Sequence, residues 1–243
     1  MKEFVFSYPT KVYFGEGSLE KALAAECGKY GKTVMLAYGG ASLKKNGIYD
    51  RIKELLKKEE KEIVDFPGIM PNPTYAKVQE GAAQAKTDED VWEMEFSKGK
   101  FPTEYLPMGA VVTASGTGAE QNCGAVITNE DKNIKTGVFG AYASFAVLDP
   151  GLTASVPAMQ VISGAFDTLS HAMETYLGNS DQDNVSDDVA LAVMRNTVVN
   201  MRRLIADVGD MQARSNLMWD SAMAENGIEL SRDEVYEILM ECM

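Results

Sequence analysis

The sequence predicts an α/β fold in which a parallel-sheet domain precedes a helical one, and three observations predict it. The runs 34–38 and 62–66 are short and apolar, are closed by Gly39-Gly40 and Pro67-Gly68, and enclose Ile48, Ile52, Leu55 and Leu56 at helical spacing. Strand, helix and strand in that order form a βαβ unit, which requires a parallel sheet with helices over its faces. Further apolar runs at 105–113 and 143–148 supply more strands, the second closed by Asp149-Pro150. From Ser155 onward Ala, Leu, Met and Val recur every three or four residues through 162–169, 189–204 and 217–224, which is a helical period. The boundary is placed near Pro150-Gly151, giving a sheet domain over 1–150 and a helical domain over 151–243.

Each element along the first half carries its own signal. Gly39-Gly40-Ala41-Ser42 sits where a strand hands over to a helix, so its peptide N–H groups and the helix N-terminus could face a phosphate; the plain alternative is a tight turn. The charge-rich stretch 53–62 reads as a solvated helix face. Pro71-Asn72-Pro73-Thr74 reads as a loop in which Thr74 or Asn72 caps the helix through Val78 and Ala82. After residue 85 a doubly wound sheet would take another strand, yet the chain runs directly into Lys86-Thr87-Asp88-Glu89-Asp90. One βα unit is missing near 85. The turn Thr113-Ala114-Ser115-Gly116-Thr117-Gly118 combines three hydroxyls with two glycines, a mixture that lets backbone approach a ligand while side chains bond ribose or phosphate oxygens; it also suits a simple polar loop.

Composition removes several classes of function. With 36 acidic against 23 basic residues the net charge is -13, which repels nucleic acid and anionic lipid. No stretch reaches the ~20 apolar residues needed to span a bilayer, and the first residues lack the pattern of an export signal. Cys27, Cys123 and Cys242 stand singly, without zinc-ribbon or disulfide spacing, so a cytoplasmic location is expected.

The only histidine, His171, lies four residues after Asp167 in a helical stretch. That spacing stacks an oxygen and a nitrogen ligand on one helix face, where both can hold one divalent cation; the alternatives are a helix cap and a satisfied core histidine. It is half of a metal site, because a cation used as a Lewis acid usually takes at least three protein ligands. Gly164, Ala165, Ser170 and Ala172 are small, as room for a metal and a substrate would require. Met159, Met173, Met194, Met201, Met218 and Met223 read as core filler.

Pro71–Thr74, 113–120, Val147-Leu148-Asp149-Pro150 and 166–176 together resemble the iron-containing (group III) alcohol dehydrogenases, and 38–49, Met94-Glu95-Phe96 and 218–226 resemble their NADP-preferring butanol dehydrogenase and aldehyde reductase branch. The likeness implies a dinucleotide-binding α/β domain, an all-helical metal-binding domain, and a cleft between them. It implies that Gly39, Gly40 and Ser42 meet the adenosine ribose and its 2′-phosphate, and that Asn72 lies on the nicotinamide side. Thr113, Ser115 and Thr117 would line the pyrophosphate and nicotinamide ribose, and Asp167 and His171 would be two metal ligands. The implied cofactors are NADP(H) or NAD(H) and a divalent metal, iron first and zinc second; the implied partners are a small alcohol or aldehyde and further copies of the chain.

The departures from that family are also specific. The family has a strand and a GGGS turn where 83–85 here passes straight on, and after Ile228 it continues through helices bearing two more histidine ligands. Here Ser231 to Met240 resembles the family's final helix instead. Ala119 replaces a usual serine, at the cost of a hydrogen bond worth about 1 kcal/mol. The helical domain is thus expected to be truncated. The expected activity is metal-dependent, NAD(P)H-linked oxidation of primary alcohols and reduction of their aldehydes; the alternative is an inactive remnant that binds nucleotide weakly or only oligomerises.

Overall fold

The computed structural model describes residues 8–85, 92, 104–178 and 185–224. The acidic run at 86–90, the Met94-Glu95-Phe96 segment, the stretch after Ala224 and Cys242 lie outside the described residues. The chain divides into two compact units that interleave in sequence: one comprises Thr10–Val112 and Cys123–Ser155, the other Met1–Pro9, Thr113–Asn122 and Val156–Met243.

The first unit is α/β. Its parallel strands form two sheets: β1 (Lys11–Phe14), β7 (Phe145–Leu148) and β4 (Gly109–Val111) in the order β1-β7-β4, and β2 (Thr33–Ala37) beside β3 (Glu62–Phe66). All four residues of β7 are buried, as a strand with parallel neighbours on both sides requires. Between β2 and β3 the chain passes through α2 (Ser42–Lys45) and α3 (Ile48–Lys58), and Thr33 to Ala37 pair in register with Glu62 to Phe66. The βαβ unit read from the sequence is therefore present. Ile48, Ile52 and Leu56 of α3 are buried against Leu19, Ala22 and Leu23 of α1 (Ser18–Glu26). Into that same core reach Val34, Leu36 and Ile63 from one sheet and Tyr13, Val111, Phe145 and Val147 from the other. One helical layer thus underlies both sheets, although no strand pairing joins β2 to β4 among the described residues. The missing βα unit expected near 85 would contribute a strand to this sheet system.

α4 (Tyr75–Gln84) starts at Thr74, whose Oγ1 accepts the Lys77 N–H at 3.2 Å, so Thr74 rather than Asn72 is the cap. Gly81 lets this helix press on Phe66, since a side chain there would meet the ring at 3.0 Å. Two features go beyond the sequence reading: β1 with α1, and an antiparallel hairpin of β5 (Gly124–Asn129) and β6 (Ile134–Phe139). Asp149 closes β7. It is 2% exposed, its Oδ1 accepts the Gly151 N–H at 3.0 Å, and its Oδ2 accepts the Gly17 N–H at 3.2 Å from the start of α1.

The second unit is helical: α5 (Ala158–Gly178), α6 (Val185–Ala206) and α7 (Met211–Ala224). Ala165, Leu204, Ala213 and Leu217 form one core, and Ala172, Val193 and Ala224 another. Met218 is buried, and Met194, Met201 and Met223 are packed against these cores. Met159 and Met173 are instead exposed, and with Phe166 they recur every seven residues along α5, so the core-filler reading fails for these two. No helix among the described residues is long and apolar enough to cross a membrane.

Candidate functional site

The first glycine turn follows β2. Ladder bonding continues past the strand, with the Gly68 N–H donating to the Gly39 carbonyl at 3.1 Å and the Ile69 N–H to that of Tyr38 at 3.2 Å. Gly39 lies close to backbone, because a Cβ there would come 3.1 Å from the Ile69 carbonyl oxygen; Gly40 faces open space. Ser42 opens α2, which has only four residues. So short a helix sums few peptide dipoles toward a phosphate. Lys44, also in α2, lies over the rings of Tyr38 and Tyr49 at 5.4 and 4.8 Å and places a cation by this turn. Asn72 is exposed and holds a left-handed backbone at φ 53°, a conformation asparagine tolerates better than most residues.

Thr113, Ser115 and Thr117 belong to the helical unit together with Asp167 and His171. The second turn is anchored onto α5 and α7. Ser221 Oγ accepts the Gly116 N–H at 3.0 Å, and Thr168 Oγ1 donates to the Gly116 carbonyl, with the oxygens 2.9 Å apart. Gly164 is the contact point on α5: an added Cβ would overlap the Ser115 carbonyl oxygen. Of the small residues around Asp167, Ser170 is exposed and the other three serve packing. Gly164 admits the turn's backbone, while Ala165 and Ala172 are buried in helix–helix cores, so the room read from them is already filled by the chain itself. Thr117 Oγ1 accepts the Ala119 N–H at 3.1 Å, and Gly118 supplies the positive φ of 67° that the turn needs.

Asp167 and His171 point the same way from α5, with Asp167 Oδ1 3.9 Å from His171 Nε2, and both are partly exposed. The carboxylate borders the glycine turn, for a Cβ on Gly116 would lie 3.2 Å from Asp167 Oδ2. The pair fits two coordination positions on a divalent cation. Among the described residues no third His, Cys, Asp or Glu joins them.

Two residues of this site escaped the sequence reading, Thr168 and Ser221, while Gly164 was read there as open room rather than as a contact with backbone. Their only sequence signal is small or hydroxyl character on helices, which is common. Beside Ser221, Asp220 is buried and accepts hydrogen bonds from Asn196 Nδ2 at 2.7 Å and Thr197 Oγ1 at 3.3 Å. Burial pushes its carboxyl up to about 6, and those two bonds only partly oppose the shift. In the sheet unit Glu26 goes the other way. Lys29, Tyr13 and Lys11 all bond its carboxylate and hold it down to about 2.

These two groups make opposite contributions to stability. A raised native pKa means that the folded helical unit binds more protons than the unfolded one between about pH 4 and 6, so Asp220 adds stability as pH falls through that window. The depressed Glu26 stabilises the sheet unit above its ordinary value of 4.5, and that contribution is lost as pH falls toward about 2. Replacing Asp220 by Asn keeps the site hydrogen-bonded, with the amide oxygen accepting from Asn196 and the amide nitrogen donating to Thr197. The variant should lose the pH 6 to 4 stabilisation and gain on the order of 2 kcal/mol at pH 7. Urea titrations at pH 7 and pH 5, followed through Trp219, check this; an unchanged pH dependence in D220N would refute it.

Comparison with known proteins adds an independent finding. The family model "Iron-containing alcohol dehydrogenase" matches residues 9–91 and 85–150, two pieces that meet where the sequence passes from helix to acidic run without a strand. The model "Fe-containing alcohol dehydrogenase family, C-terminal" matches residues 161–237. NADH-dependent butanol dehydrogenase A of Clostridium acetobutylicum is 34% identical over 94% of this chain and 66% of its own length. The NADPH-dependent aldehyde reductase YqhD of Escherichia coli is 28% identical over 94% of the chain and 66% of its own length. The crystal structure of NADH-dependent butanol dehydrogenase A from Thermotoga maritima superposes with a TM-score of 0.85 at 33% identity, covering 93% of this chain and 64% of that one. The chain thus spans just under two thirds of the length of these relatives.

Proposed function

The chain belongs to the iron-containing alcohol dehydrogenase family, and from that premise we propose that it serves hydride exchange between a nicotinamide dinucleotide and a primary alcohol or its aldehyde. The observation that carries this reading is the juxtaposition on one unit of the hydroxyl-glycine turn and the Asp167–His171 pair, with Gly116 against the Asp167 carboxylate. Gly39, Gly40 and Ser42 are assigned to the adenosine end of the dinucleotide, Thr113, Ser115 and Thr117 to its pyrophosphate and nicotinamide ribose, and Asn72 to the nicotinamide side. Relatives are named for NADH and for NADPH; Lys44 beside the first turn supports a 2′-phosphate and hence NADP(H). Equal affinity for both coenzymes would count against that preference.

Asp167 and His171 are the residues that would hold iron, or zinc, and a cation there supplies polarisation of the alcohol or carbonyl oxygen. The protein's own contribution is to bind and orient. The turn presents hydroxyls and backbone to the dinucleotide, and the carboxylate and imidazole fix two ligand directions on one rigid helix. Because no third ligand stands beside them among the described residues, a second reading is favoured by a specific observation: a remnant that binds nucleotide without turnover. The exposed apolar row Met159, Phe166 and Met173 supports self-association in either case. The cytoplasm is the proposed location.

One set of measurements on the purified chain decides between enzyme and remnant. The enzyme reading expects bound iron or zinc by elemental analysis, aldehyde-dependent oxidation of NADPH, and loss of both by at least about 100-fold in D167A, because removing one of the two proposed ligands costs several kcal/mol of affinity. Nucleotide binding without metal or oxidation would leave only the remnant. Light scattering on the same sample reads the association state, and a monomer would refute self-association.

A further inference from the structure

Gly116 is held from three sides by groups to which the dinucleotide reading gives no role. Its N–H is taken by Ser221 Oγ at 3.0 Å, fixing the peptide that joins it to Ser115. The carbonyl of that same peptide rests on Gly164, where no side chain fits. The next peptide, toward Thr117, is held through the Gly116 carbonyl by Thr168 Oγ1 at 2.9 Å, and the same hydroxyl lies 3.0 Å from the Gly164 carbonyl one turn back on α5. Thr168 and Ser221 are 1% and 3% exposed, so water does not compete for these bonds. Both peptides flanking Gly116 are thereby fixed, and with them the directions in which Ser115 and Thr117 leave the backbone.

We propose that Thr168 and Ser221 are positioning residues for dinucleotide binding. They do not touch the ligand. They set the Ser115-Gly116-Thr117 turn in one orientation beside Asp167, so that its hydroxyls and peptide groups meet the pyrophosphate and nicotinamide ribose without rearranging. A turn held this way loses little conformational freedom on binding, and a turn released from its clamp must be ordered by the ligand itself. The inference rests on the dinucleotide reading, and it assigns the two hydroxyls only to the pyrophosphate–nicotinamide half.

Two probes separate this from a general loss of structure. NADPH spans the whole dinucleotide, whereas 2′,5′-ADP carries only the adenosine end assigned to Gly39, Gly40 and Ser42. Affinities are to be measured by fluorescence titration for the native chain and for S221A, T168V and T168S. S221A and T168V should each bind NADPH about 10-fold more weakly, equivalent to about 1.4 kcal/mol, and bind 2′,5′-ADP within about twofold of the native chain. T168S, which keeps the hydroxyl, should restore NADPH binding. Equal loss for both probes would show only structural damage and overturn the assignment, as would unchanged NADPH affinity in both variants. Failure of the native chain to bind either probe would overturn the dinucleotide reading itself and this inference with it.

Discussion

Gly164→Val should unfold the helical unit at roughly 1 M less urea than the native chain, from a loss of ~2–3 kcal/mol and a denaturant slope of 1–3 kcal/mol per molar. The direction is not obvious from the sequence. Glycine inside a helix costs about 1 kcal/mol relative to alanine, so replacing it on an exposed surface would stabilise α5. Here the first side-chain carbon would overlap the Ser115 carbonyl oxygen, and a backbone atom cannot swing aside as a flexible side chain can. Either the turn lifts off α5, breaking the bonds from Gly116 to Ser221 and Thr168, or the helix shifts within its core of Ala165, Leu204 and Leu217. The chain has two tryptophans, Trp92 in the sheet unit and Trp219 in the helical one. With Trp92 replaced by Phe, the fluorescence transition reports on the helical unit alone. Ser163→Ala, one residue earlier on the exposed side of α5, should change stability by no more than about a few tenths of a kcal/mol. A native-like midpoint for G164V would mean that the turn does not rest on this helix.

In the sheet unit the largest loss is expected from Asp149→Ala, about 3 kcal/mol. The carboxylate bonds two peptide N–H groups on different segments, Gly151 in the 3-10 turn after β7 and Gly17 at the start of α1, with Arg51 3.7 Å away. Alanine would leave both donors unsatisfied and remove the more distant of the two carboxylates near Arg51, which stays paired with Glu20 at 2.6 Å. Asparagine should recover about half of the loss, since it offers one acceptor where two are needed. The Trp92 transition, measured with Trp219 replaced by Phe, checks both variants, and equal stability of alanine and asparagine would show that shape rather than bonding sets the effect.

Much of this architecture was legible because it obeys simple periods. Short apolar runs closed by Gly39-Gly40 and Pro67-Gly68 located β2 and β3, and the spacing of three and four located α5, α6 and α7. Asp167 and His171 were legible because four residues on a helix always share a face, and they lie 3.9 Å apart. The partners of Gly116 were not legible. Thr168 and Ser221 are 52 and 105 residues away in sequence, and no local pattern announces that a helix will accept backbone at Gly164. The segment Thr113–Asn122 falls within the 1–150 domain drawn from the sequence, whereas its contacts group it with the helical unit. Strand β1 was missed because Lys11-Val12-Tyr13-Phe14 is too short for a period to show, although Pro9 and Gly15-Glu16-Gly17 flank it; it is a strand because β7 offers it an edge.

The gap in pairing between β2 and β4 has a consequence for motion. Rungs of a continuous ladder must break together, whereas no described strand pairing joins β2 and β3 to β1, β7 and β4, which meet largely through apolar side chains resting on common helices. Side-chain contacts yield gradually and without direction, so the outer pair can part from its neighbours while their own amides stay shielded. Solvent deuterium would then enter Val34 to Ala37 well before Ala146 and Val147, and the unit would breathe along that seam.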